Sequence, residues 1–354
     1  MNLHQVKSVL AAIICACLLL IGCSPSTAAR PTLMQQNGTA TPFLATSTPM
    51  PTFTPTLPPL GSEANPLVMA VIANQVPTDQ LTALDTLTNE LSGSLNLKVI
   101  AKSFPDYFSL ESALQKGQVH LAWLQPVEYL LASEKGLLSS LLVTNHLGVT
   151  AYGIQFLGHR DSSFTSYYDV GTMLSTTSAV KALAQFSGLR PCLTSDTSLA
   201  GYWLPLGYLK QNNIPIQEPI LTYSYSANLR ALYVKGVCEF TATYAISGDP
   251  RSSSEVITDL QDVMARLPII WISPAVIPNL NLSIDPELPL PIQTQISEFL
   301  LSYSRTETGR QVLTDANQYT IAELEPLPDD TYTDLRLLLE IQDVRLPNLI
   351  PSAN

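Results

Sequence analysis

Short apolar runs alternate with segments of helical periodicity along most of this chain, and this rhythm restricts the fold it can adopt. Residues 67–72 form a continuous apolar run, as expected for a parallel strand covered on both faces. A leucine spacing typical of a helix follows it, at Leu81, Leu84, Leu87 and Leu91. Further predicted strands at 97–101 and 119–124 alternate with helices at 106–116 and 126–135. This order predicts a doubly wound α/β unit.

A second half of the chain repeats the rhythm. Strands are predicted at 154–157, 192–194, 220–223 and 239–244, with helices at 203–210 and 227–233. An apolar strand bounded by prolines follows at 268–274, and two helices are predicted at 292–304 and 332–341. Two α/β lobes joined by crossing strands would enclose a cleft at the carboxyl ends of their strands, where ligands bind in open α/β sheets.

The N-terminus has the pattern of a bacterial lipoprotein signal. An apolar stretch from Val9 to Ile21 ends in Gly22 and then Cys23. A small residue before a cysteine fits cleavage at that point, so we predict that the signal peptide, residues 1–22, is removed and that the Cys23 thiol is lipidated. An uncleaved membrane helix is the alternative, but the apolar run is shorter than the ~20 residues that span a bilayer.

Residues 23–62 are rich in Pro, Thr and Ser, and Arg30 is their only charged residue. Because proline fixes φ and lacks an amide donor, neither helix nor sheet can propagate here. We predict a disordered tether, with ~3 Å per residue where it is polyproline-like. The folded part would then comprise the first part of lobe 1 (63–154), lobe 2 (155–267), and a return strand with C-terminal helices that complete lobe 1 (268–354).

The segment after the tether is strongly acidic. It contains all 29 acidic residues of the chain but only 16 of the 18 basic ones, which gives a formal charge of −13. This charge argues against nucleic acid as a partner and against a polybasic membrane patch. It does not exclude an anionic ligand, because helix N-termini bind anions. The 4 histidines do not cluster at metal-binding spacing, and no G-x-S-x-G elbow is present. We therefore expect no metal, no cofactor and no catalysed reaction.

Four segments match motifs of a known family in order and spacing: 116–129, 201–205, 229–239 and 270–278. Together they resemble the phosphate/phosphite/phosphonate-binding proteins of ABC importers. The resemblance implies a type II periplasmic-binding fold, that is, α/β lobes built on doubly wound, mostly parallel sheets. It also implies that a small solute is captured in the cleft by closure of the lobes.

The anion site that the resemblance implies is altered in this chain. The family presents a Ser/Thr cluster at a helix N-terminus, where hydroxyls and backbone N–H groups hold phosphonate oxygens. Only Ser198 keeps a hydroxyl here, because Leu199 and Ala200 stand where Ser or Thr is usual. His120 and Gln125 replace an Asp and a Gly of the family pattern. We expect the fold and the binding role to carry over, and unsubstituted phosphate to be a poor ligand.

Candidate ligand-binding residues lie where predicted strands end at the cleft. Gln125 and Ser198 offer hydrogen bonds, and Tyr202 and Tyr225 would wall the cleft for an organic ligand. Tyr107 either contacts the ligand, as the resemblance implies, or packs within its lobe. The full predicted set is Asn74, Tyr107, Gln125, Ser198, Gly201, Tyr202, Tyr225, Ser226 and Tyr244.

Cys192 and Cys238 would remain in the folded part, and an oxidising compartment favours a disulfide between them. In this fold the first strand of a lobe lies beside its third, and each cysteine opens one of these strands. Neighbouring strands are ~4.8 Å apart, and a disulfide needs Cα atoms ~4.4–6.8 Å apart. Two buried free thiols are the alternative.

The sequence thus favours the solute-binding lipoprotein of an ABC importer, a monomer anchored by lipid outside the cytoplasm. It would pass a small, phosphonate-like or other organic anionic ligand to permease subunits in the membrane. One alternative is an extracytoplasmic sensory module of the same fold that signals to a partner. The lack of a transmembrane or kinase segment after the last predicted helix disfavours a one-piece sensor. A fold relic without a ligand is a further alternative.

Overall fold

The computed structural model describes residues 58–350. The predicted signal peptide (1–22), the predicted lipidation site Cys23 and most of the predicted tether lie outside the described residues. None of the helices in the described part is long and apolar enough to span a bilayer.

The described residues alternate between strands and helices. The strands are β1 (Leu67–Ile72), β2 (Val99–Phe104), β3 (Leu121–Leu124), β4 (Ser139–Asn145), β5 (Ala151–Gly158), β6 (Tyr168–Asp169), β7 (Leu174–Ser175), β8 (Pro191–Leu193), β9 (Ile220–Leu221), β10 (Phe240–Ala245), β11 (Ile269–Ile272), β12 (Ile277–Pro278), β13 (Asn281–Ile284) and β14 (Glu323–Pro326). The α-helices are α1 (Thr78–Leu95), α2 (Tyr107–Leu114), α3 (Pro126–Glu134), α4 (Ala179–Leu183), α5 (Leu204–Gln211), α6 (Tyr225–Val234), α7 (Ser254–Asp259), α8 (Val263–Arg266), α9 (Leu290–Ser304), α10 (Glu307–Asn317) and α11 (Thr333–Glu340).

Lobe 1 is built on a six-stranded sheet with the order β14-β4-β13-β3-β1-β2. β1 is parallel to both β2 and β3, so the first strand lies beside the third, as the sequence predicted. β13 is inserted between β3 and β4 and runs antiparallel to both. The buried runs of β1 and β3 lie in the middle of this order, which explains why both are continuously apolar.

Lobe 2 is built on a five-stranded sheet with the order β11-β5-β10-β8-β9, and β12 also pairs with β5. β8 is parallel to β9 and to β10, and β5 is antiparallel to β10 and β11. The α/β type II fold is therefore confirmed. Its sheets are mixed rather than mostly parallel in their pairings, because the chain crosses between the lobes on β5 and β13, which run against their neighbours.

The strand pairings depart from two of the predicted domain boundaries. The strand predicted to return to lobe 1 is β11, which pairs antiparallel with β5 and so belongs to lobe 2. The return to lobe 1 occurs at β13, because β12 still pairs with β5. Lobe 2 also begins at β5, four residues earlier than predicted. An apolar run bounded by prolines does not reveal which sheet offers it a partner.

The end of the predicted tether is also folded. Leu60 packs against the core of lobe 1, and the Lys98 amide donates to the Gly61 carbonyl at 2.6 Å. The Asn65 side chain donates to the Pro58 carbonyl at 2.9 Å. Residues 58–62 therefore belong to the folded part of the chain. A proline-rich segment lacks amide donors but keeps its carbonyl groups, which can accept hydrogen bonds from the rest of lobe 1.

Two short crossings bring the lobes together. Residues 146–150 connect the carboxyl end of β4 to the amino end of β5, and only residues 279–280 separate β12 from β13. Asn279 ties the crossings together: its side chain donates to the Thr144 carbonyl at 3.2 Å and to the Val149 carbonyl at 2.7 Å. Because β5 is antiparallel to β10, its amino end lies at the carboxyl end of β10. The carboxyl edges of both sheets therefore face these crossings.

A hydrophobic core of buried residues extends from lobe 1 into lobe 2. Phe186 and Phe240 stack at its centre in lobe 2, with ring centroids 4.2 Å apart. The C-terminal helix α11, which was predicted to complete lobe 1, packs against α5 of lobe 2. Just after α11, the Gln342 side chain donates to the Trp203 carbonyl at 2.9 Å. The C-terminal segment thus braces both lobes.

A disulfide joins Cys192 to Cys238, with Cα atoms 5.5 Å apart. Cys192 lies in β8, and Cys238 lies two residues before β10. The parallel pairing of β8 with β10 brings the two cysteines together, which is the arrangement that the predicted strand order requires. The bridge lies at the amino ends of these strands, opposite the cleft edge of the sheet.

Candidate functional site

The lobe 2 side of the site is formed where three neighbouring parallel strands end. β8 leads into Thr194–Ser198, β9 leads into Ser224 and Tyr225, and Tyr244 is the penultimate residue of β10. The carboxyl ends of parallel neighbours meet at one edge of a sheet. Local hydrogen bonds start a helix at two of these ends. The Ser198 hydroxyl accepts from the Gly201 amide at 3.1 Å, and the Ser224 hydroxyl accepts from the Ala227 amide at 3.1 Å.

The turn after β8 requires glycine at position 201. A Cβ at this position would lie 2.1 Å from Thr194 Oγ1 and 2.9 Å from Ser198 Oγ. The φ angle of Gly201 is not positive. The residue lies within the π-helix Leu199–Trp203, which continues into α5. The Thr194 hydroxyl is buried beside it without a hydrogen-bond partner. Glycine is therefore required at position 201 because the Thr194 and Ser198 side chains approach it closely, and not because of its backbone conformation.

Tyr225 is in contact with both Ser198 and Tyr244. The Ser198 and Tyr225 hydroxyl oxygens are 3.5 Å apart, and the rings of Tyr225 and Tyr244 meet edge to face with centroids 5.1 Å apart. Burial raises the pKa of both phenols, so both are neutral at physiological pH. The structure thus brings three predicted site residues, together with Gly201, into one group.

Tyr152, which is not among the residues predicted from the sequence, lies beside this group on the sheet. Tyr244 pairs with Ile154 across the β5–β10 ladder, so Tyr152, two residues earlier on β5, lies on the same face of the sheet. Diagonal neighbours of this kind are ~7–8 Å apart, within reach of aromatic side chains. An aromatic residue near the start of a strand that crosses between the lobes was a sequence signal for this position. The neighbour of Tyr152 across the sheet could not be known without the strand register.

The other two predicted residues of lobe 2 flank this group. Tyr202 is half-buried and packs edge to face against Trp203, with centroids 5.0 Å apart. Ser226 lies in the first turn of α6, with its hydroxyl 3.2 Å from that of Ser224. Neither has a hydrogen bond to Ser198 within the described residues.

The lobe 1 side of the site is formed by the turns after β1 and β3. Asn74 follows β1 and Gln125 follows β3, and both side chains are exposed. Since β1 and β3 are parallel neighbours, these two residues lie at the same sheet edge. Within the part of the chain that the structure describes, no hydrogen bond joins either side chain to lobe 2. Their place in the site therefore rests on the topology of the crossings.

Glu128 is a further polar group at this edge that the sequence analysis passed over. Its carboxylate accepts from the Gln125 amide at 2.7 Å and so caps the start of α3. Burial raises the pKa of Glu128 to about 7, against the opposing effect of that hydrogen bond. Glu128 follows Gln125 by three residues at the start of an apolar helix, and this spacing could have indicated the contact from the sequence.

Tyr107 does not lie in the open part of the site. It is 1 % exposed and belongs to the core that extends through both lobes. Its hydroxyl is buried without a hydrogen-bond partner, and burial raises its pKa. This placement favours the packing interpretation of Tyr107 over direct ligand contact.

The assembled groups are hydrogen-bonding and aromatic. They offer hydroxyls, neutral phenols, two exposed carboxamides and the first amides of the π-helix Leu199–Trp203 and of α6. Across residues 58–350, no cluster of three or more His, Cys, Asp or Glu side chains could hold a metal ion. His120 lies at the amino end of β3, and its Nδ1 accepts from the Val68 amide at 3.1 Å, so it faces the sheet rather than the cleft.

Comparison with known proteins places this fold and site in context. The family model described as the periplasmic substrate-binding protein of a phosphonate ABC transporter matches residues 69–332. None of the curated proteins matches the chain. Among solved structures, XAC2383 from Xanthomonas citri bound to ATP has a TM-score of 0.55 at 17% identity, and the match covers 80% of this chain and 98% of that one. PhnD1 from Prochlorococcus marinus in complex with methylphosphonate has a TM-score of 0.48 at 14% identity, covering 78% and 98%.

The match to XAC2383 supports the two-lobe fold and nothing finer, because the identity is low. The family match extends over most of the folded part, from β1 to the segment that precedes α11. Members of this family bind small molecules outside the cytoplasm and work with ABC permeases. The chain therefore belongs to the family of periplasmic substrate-binding proteins of phosphonate ABC transporters.

Proposed function

We propose that this chain is the lipid-anchored solute-binding protein of an ABC importer and captures a small organic ligand by closure of its lobes. The observation that carries the proposal is the convergence of Ser198, Tyr225 and Tyr244 at the cleft edge of lobe 2. Asn74 and Gln125 stand at the corresponding edge of lobe 1. A ligand held by both sets would link the lobes and favour the closed state.

The same site argues against unsubstituted phosphate as the ligand. Leu199 and Ala200 remove two hydroxyls from the family's anion cluster, and Ala200 is buried. The remaining hydroxyl, Ser198, already accepts from the Gly201 amide. An organic ligand can replace lost hydrogen bonds by packing against aromatic rings, whereas phosphate cannot.

Ser198→Ala and Gln125→Ala are expected to weaken ligand binding without unfolding the protein. Each removes a hydrogen bond worth ~0.5–1.5 kcal/mol, or up to ~3 kcal/mol to a charged ligand. A thermal-shift screen with phosphate, phosphite, phosphonates, sulfonates and amino acids would first identify a ligand, which stabilises by RT ln(1 + [L]/Kd). Calorimetry would then compare the variants.

Ser302→Ala and Gln311→Ala are matched controls on exposed helix faces of lobe 1. The Ser302 hydroxyl bonds only to the Phe299 carbonyl, and the Gln311 side chain bonds to Asp315. Both controls should bind the ligand as the wild type does. If Ser198→Ala and Gln125→Ala also bind as the wild type does, the site is misplaced.

The anchoring part of the proposal rests on the sequence around Cys23. Cys23→Ser removes the thiol that would be lipidated. It should shift the protein from the membrane fraction to the soluble fraction, or leave an unprocessed precursor. Metabolic labelling with a fatty acid measures the modification directly, and unchanged labelling of the variant would exclude Cys23 as the lipidated residue.

A further inference from the structure

Three half-buried tyrosines lie at the cleft edge of lobe 2: Tyr152, Tyr225 and Tyr244, here called the tyrosine cluster. The Tyr225 and Tyr244 rings are nearly perpendicular, at 87°. Tyr152 shares the sheet face of Tyr244 at the diagonal position. Other tyrosines of the protein are fully buried, namely Tyr107, Tyr129 and Tyr332. The cluster therefore differs from the core tyrosines in that each of its residues is only partly buried.

The surface formed by the tyrosine cluster has no hydrogen bond from a basic side chain among the described residues. Throughout residues 58–350, no lysine or arginine hydrogen-bonds to the tyrosine cluster or to Ser198. The two arginines nearest to it in the chain are both engaged elsewhere. Arg251 binds the Asp249 carboxylate at 2.6 Å and the Leu267 carbonyl at 2.8 Å. Arg230 binds Asp259 at 2.8 Å and Glu255 at 3.2 Å.

In the part of the chain that the structure describes, no lysine or arginine lies over a ring of the cluster. Several other aromatic rings of the described residues do carry one: Lys102 lies over Phe104, Lys181 over Tyr167, Arg266 over Tyr233 and Arg336 over Tyr332. Ring faces attract cations because the aromatic quadrupole is negative there. Within the described residues, the tyrosine cluster thus has no lysine or arginine over its rings, although in the Tyr225–Tyr244 pair the edge of one ring meets a face of the other.

Charge reinforces this preference. Burial raises the pKa of all three phenols, so they stay neutral and offer ring faces and hydroxyls rather than charge. The folded part as a whole carries 29 acidic residues against 16 basic ones. An oxyanion placed here would have to be held by the Ser198 hydroxyl and by the amides at the starts of the π-helix Leu199–Trp203 and of α6, without a cationic side chain that bonds to the cluster within the described residues. An organic cation would meet favourable ring faces and a favourable long-range field.

We propose that the tyrosine cluster receives an alkylated ammonium group of the ligand, so that the solute is an organic cation or zwitterion rather than a simple oxyanion. The perpendicular rings of Tyr225 and Tyr244 would form two walls around that group, and Tyr152 a third. Ser198 would bond to a polar group elsewhere on the solute. This inference rests on the proposed function, because it assigns the chemistry of the ligand to the same cleft.

The test compares two classes of probe by calorimetry on the mature protein. Choline and tetramethylammonium are the cationic probes, and methylphosphonate and inorganic phosphate are the anionic ones. We expect the cationic probes to bind at least tenfold more tightly than the anionic probes. Tighter binding of methylphosphonate or phosphate, or no binding of either ammonium probe, would overturn the inference.

Two substitutions of one residue separate a ring contact from a hydrogen bond. Tyr225→Phe keeps the ring and should change affinity for the ammonium probes less than threefold. Tyr225→Leu removes the ring and should weaken binding about 5- to 30-fold, as expected for a desolvated cation–π contact. Equal losses in both variants would show that the hydroxyl, not the ring face, binds the probe. Tyr244→Leu gives a second, independent measurement if Tyr225→Leu is unstable.

Tyr303→Leu is the matched control, because Tyr303 also packs against one aromatic ring, Phe299, at 5.3 Å but lies on α9 of lobe 1. Its affinity for the probes should equal that of the wild type. Small-angle scattering with saturating probe reports lobe closure separately. Tight ammonium binding without closure would contradict the proposed function and leave the inference standing. Closure of the lobes with methylphosphonate but not with the ammonium probes would support the proposed function and contradict the inference.

Discussion

Replacing Cys192 and Cys238 together by Ala is expected to lower the free energy of unfolding by about 4 kcal/mol. The two residues are 46 positions apart in the sequence, and closing a loop of that length restricts the unfolded chain by about that amount in the chain-entropy model. Both side chains are buried, so the shorter side chains add a small packing loss. Urea unfolding of the wild type and the double variant measures the difference.

Reduction provides the control for this experiment. A reductant should destabilise the wild type towards the level of the double variant and leave the double variant unchanged. Ligand affinity of the folded double variant should stay within about twofold of the wild type, because the bridge lies at the end of β8 opposite the cleft. Two titratable thiols in the denatured, unreduced protein would show that the bridge is absent.

Gly201→Ala is expected to weaken ligand binding at least tenfold and to destabilise the protein towards the upper end of the ~1–3 kcal/mol typical of overpacking. The new methyl group would lie 2.1 Å from Thr194 Oγ1 and 2.8 Å from Thr194 Cγ2. Thr194 is buried and its amide bonds to the Gly201 carbonyl, so neither residue can move independently. The turn must shift, and it carries Ser198 with it.

Gly93→Ala is the matched control for this substitution. Gly93 lies in α1, and a Cβ there has no neighbour within 4 Å. Because alanine favours helix, Gly93→Ala should stabilise by roughly 0.5–1 kcal/mol and leave binding unchanged. Calorimetry and thermal unfolding of both variants check the pair. Wild-type affinity in Gly201→Ala would mean that the turn after β8 is not part of the binding site.

The central strands and the helix starts were readable from the sequence. The strand predicted at 67–72 has the same bounds as β1, because a strand buried on both faces needs an unbroken apolar run. The strand predicted at 97–101 instead spans Val99–Phe104. β2 is an edge strand with exposed positions, so its polar end at Lys102 and Ser103 gave no hydrophobic signal.

Elements that depend on a distant partner were missed or misplaced. β13 has only four residues, and its antiparallel pairing with β3 and β4 becomes visible only when those strands are in place. Helix α10 has few apolar residues, and those that it has pack against α1 more than 200 positions earlier in the chain. Local periodicity cannot report a contact of that separation.

The sequence by itself determined the α/β class, the family, and the strand ends at which Ser198, Gly201 and Tyr225 lie. These follow from local patterns and from motifs that keep their order along the chain. The tertiary structure alone decided that Tyr107 is buried, that Tyr152 shares the sheet face of Tyr244, and that β11 belongs to lobe 2. The physical reason is that strand register and sheet partner depend on contacts between distant residues, and a single sequence does not record which of several apolar surfaces a strand or ring will meet.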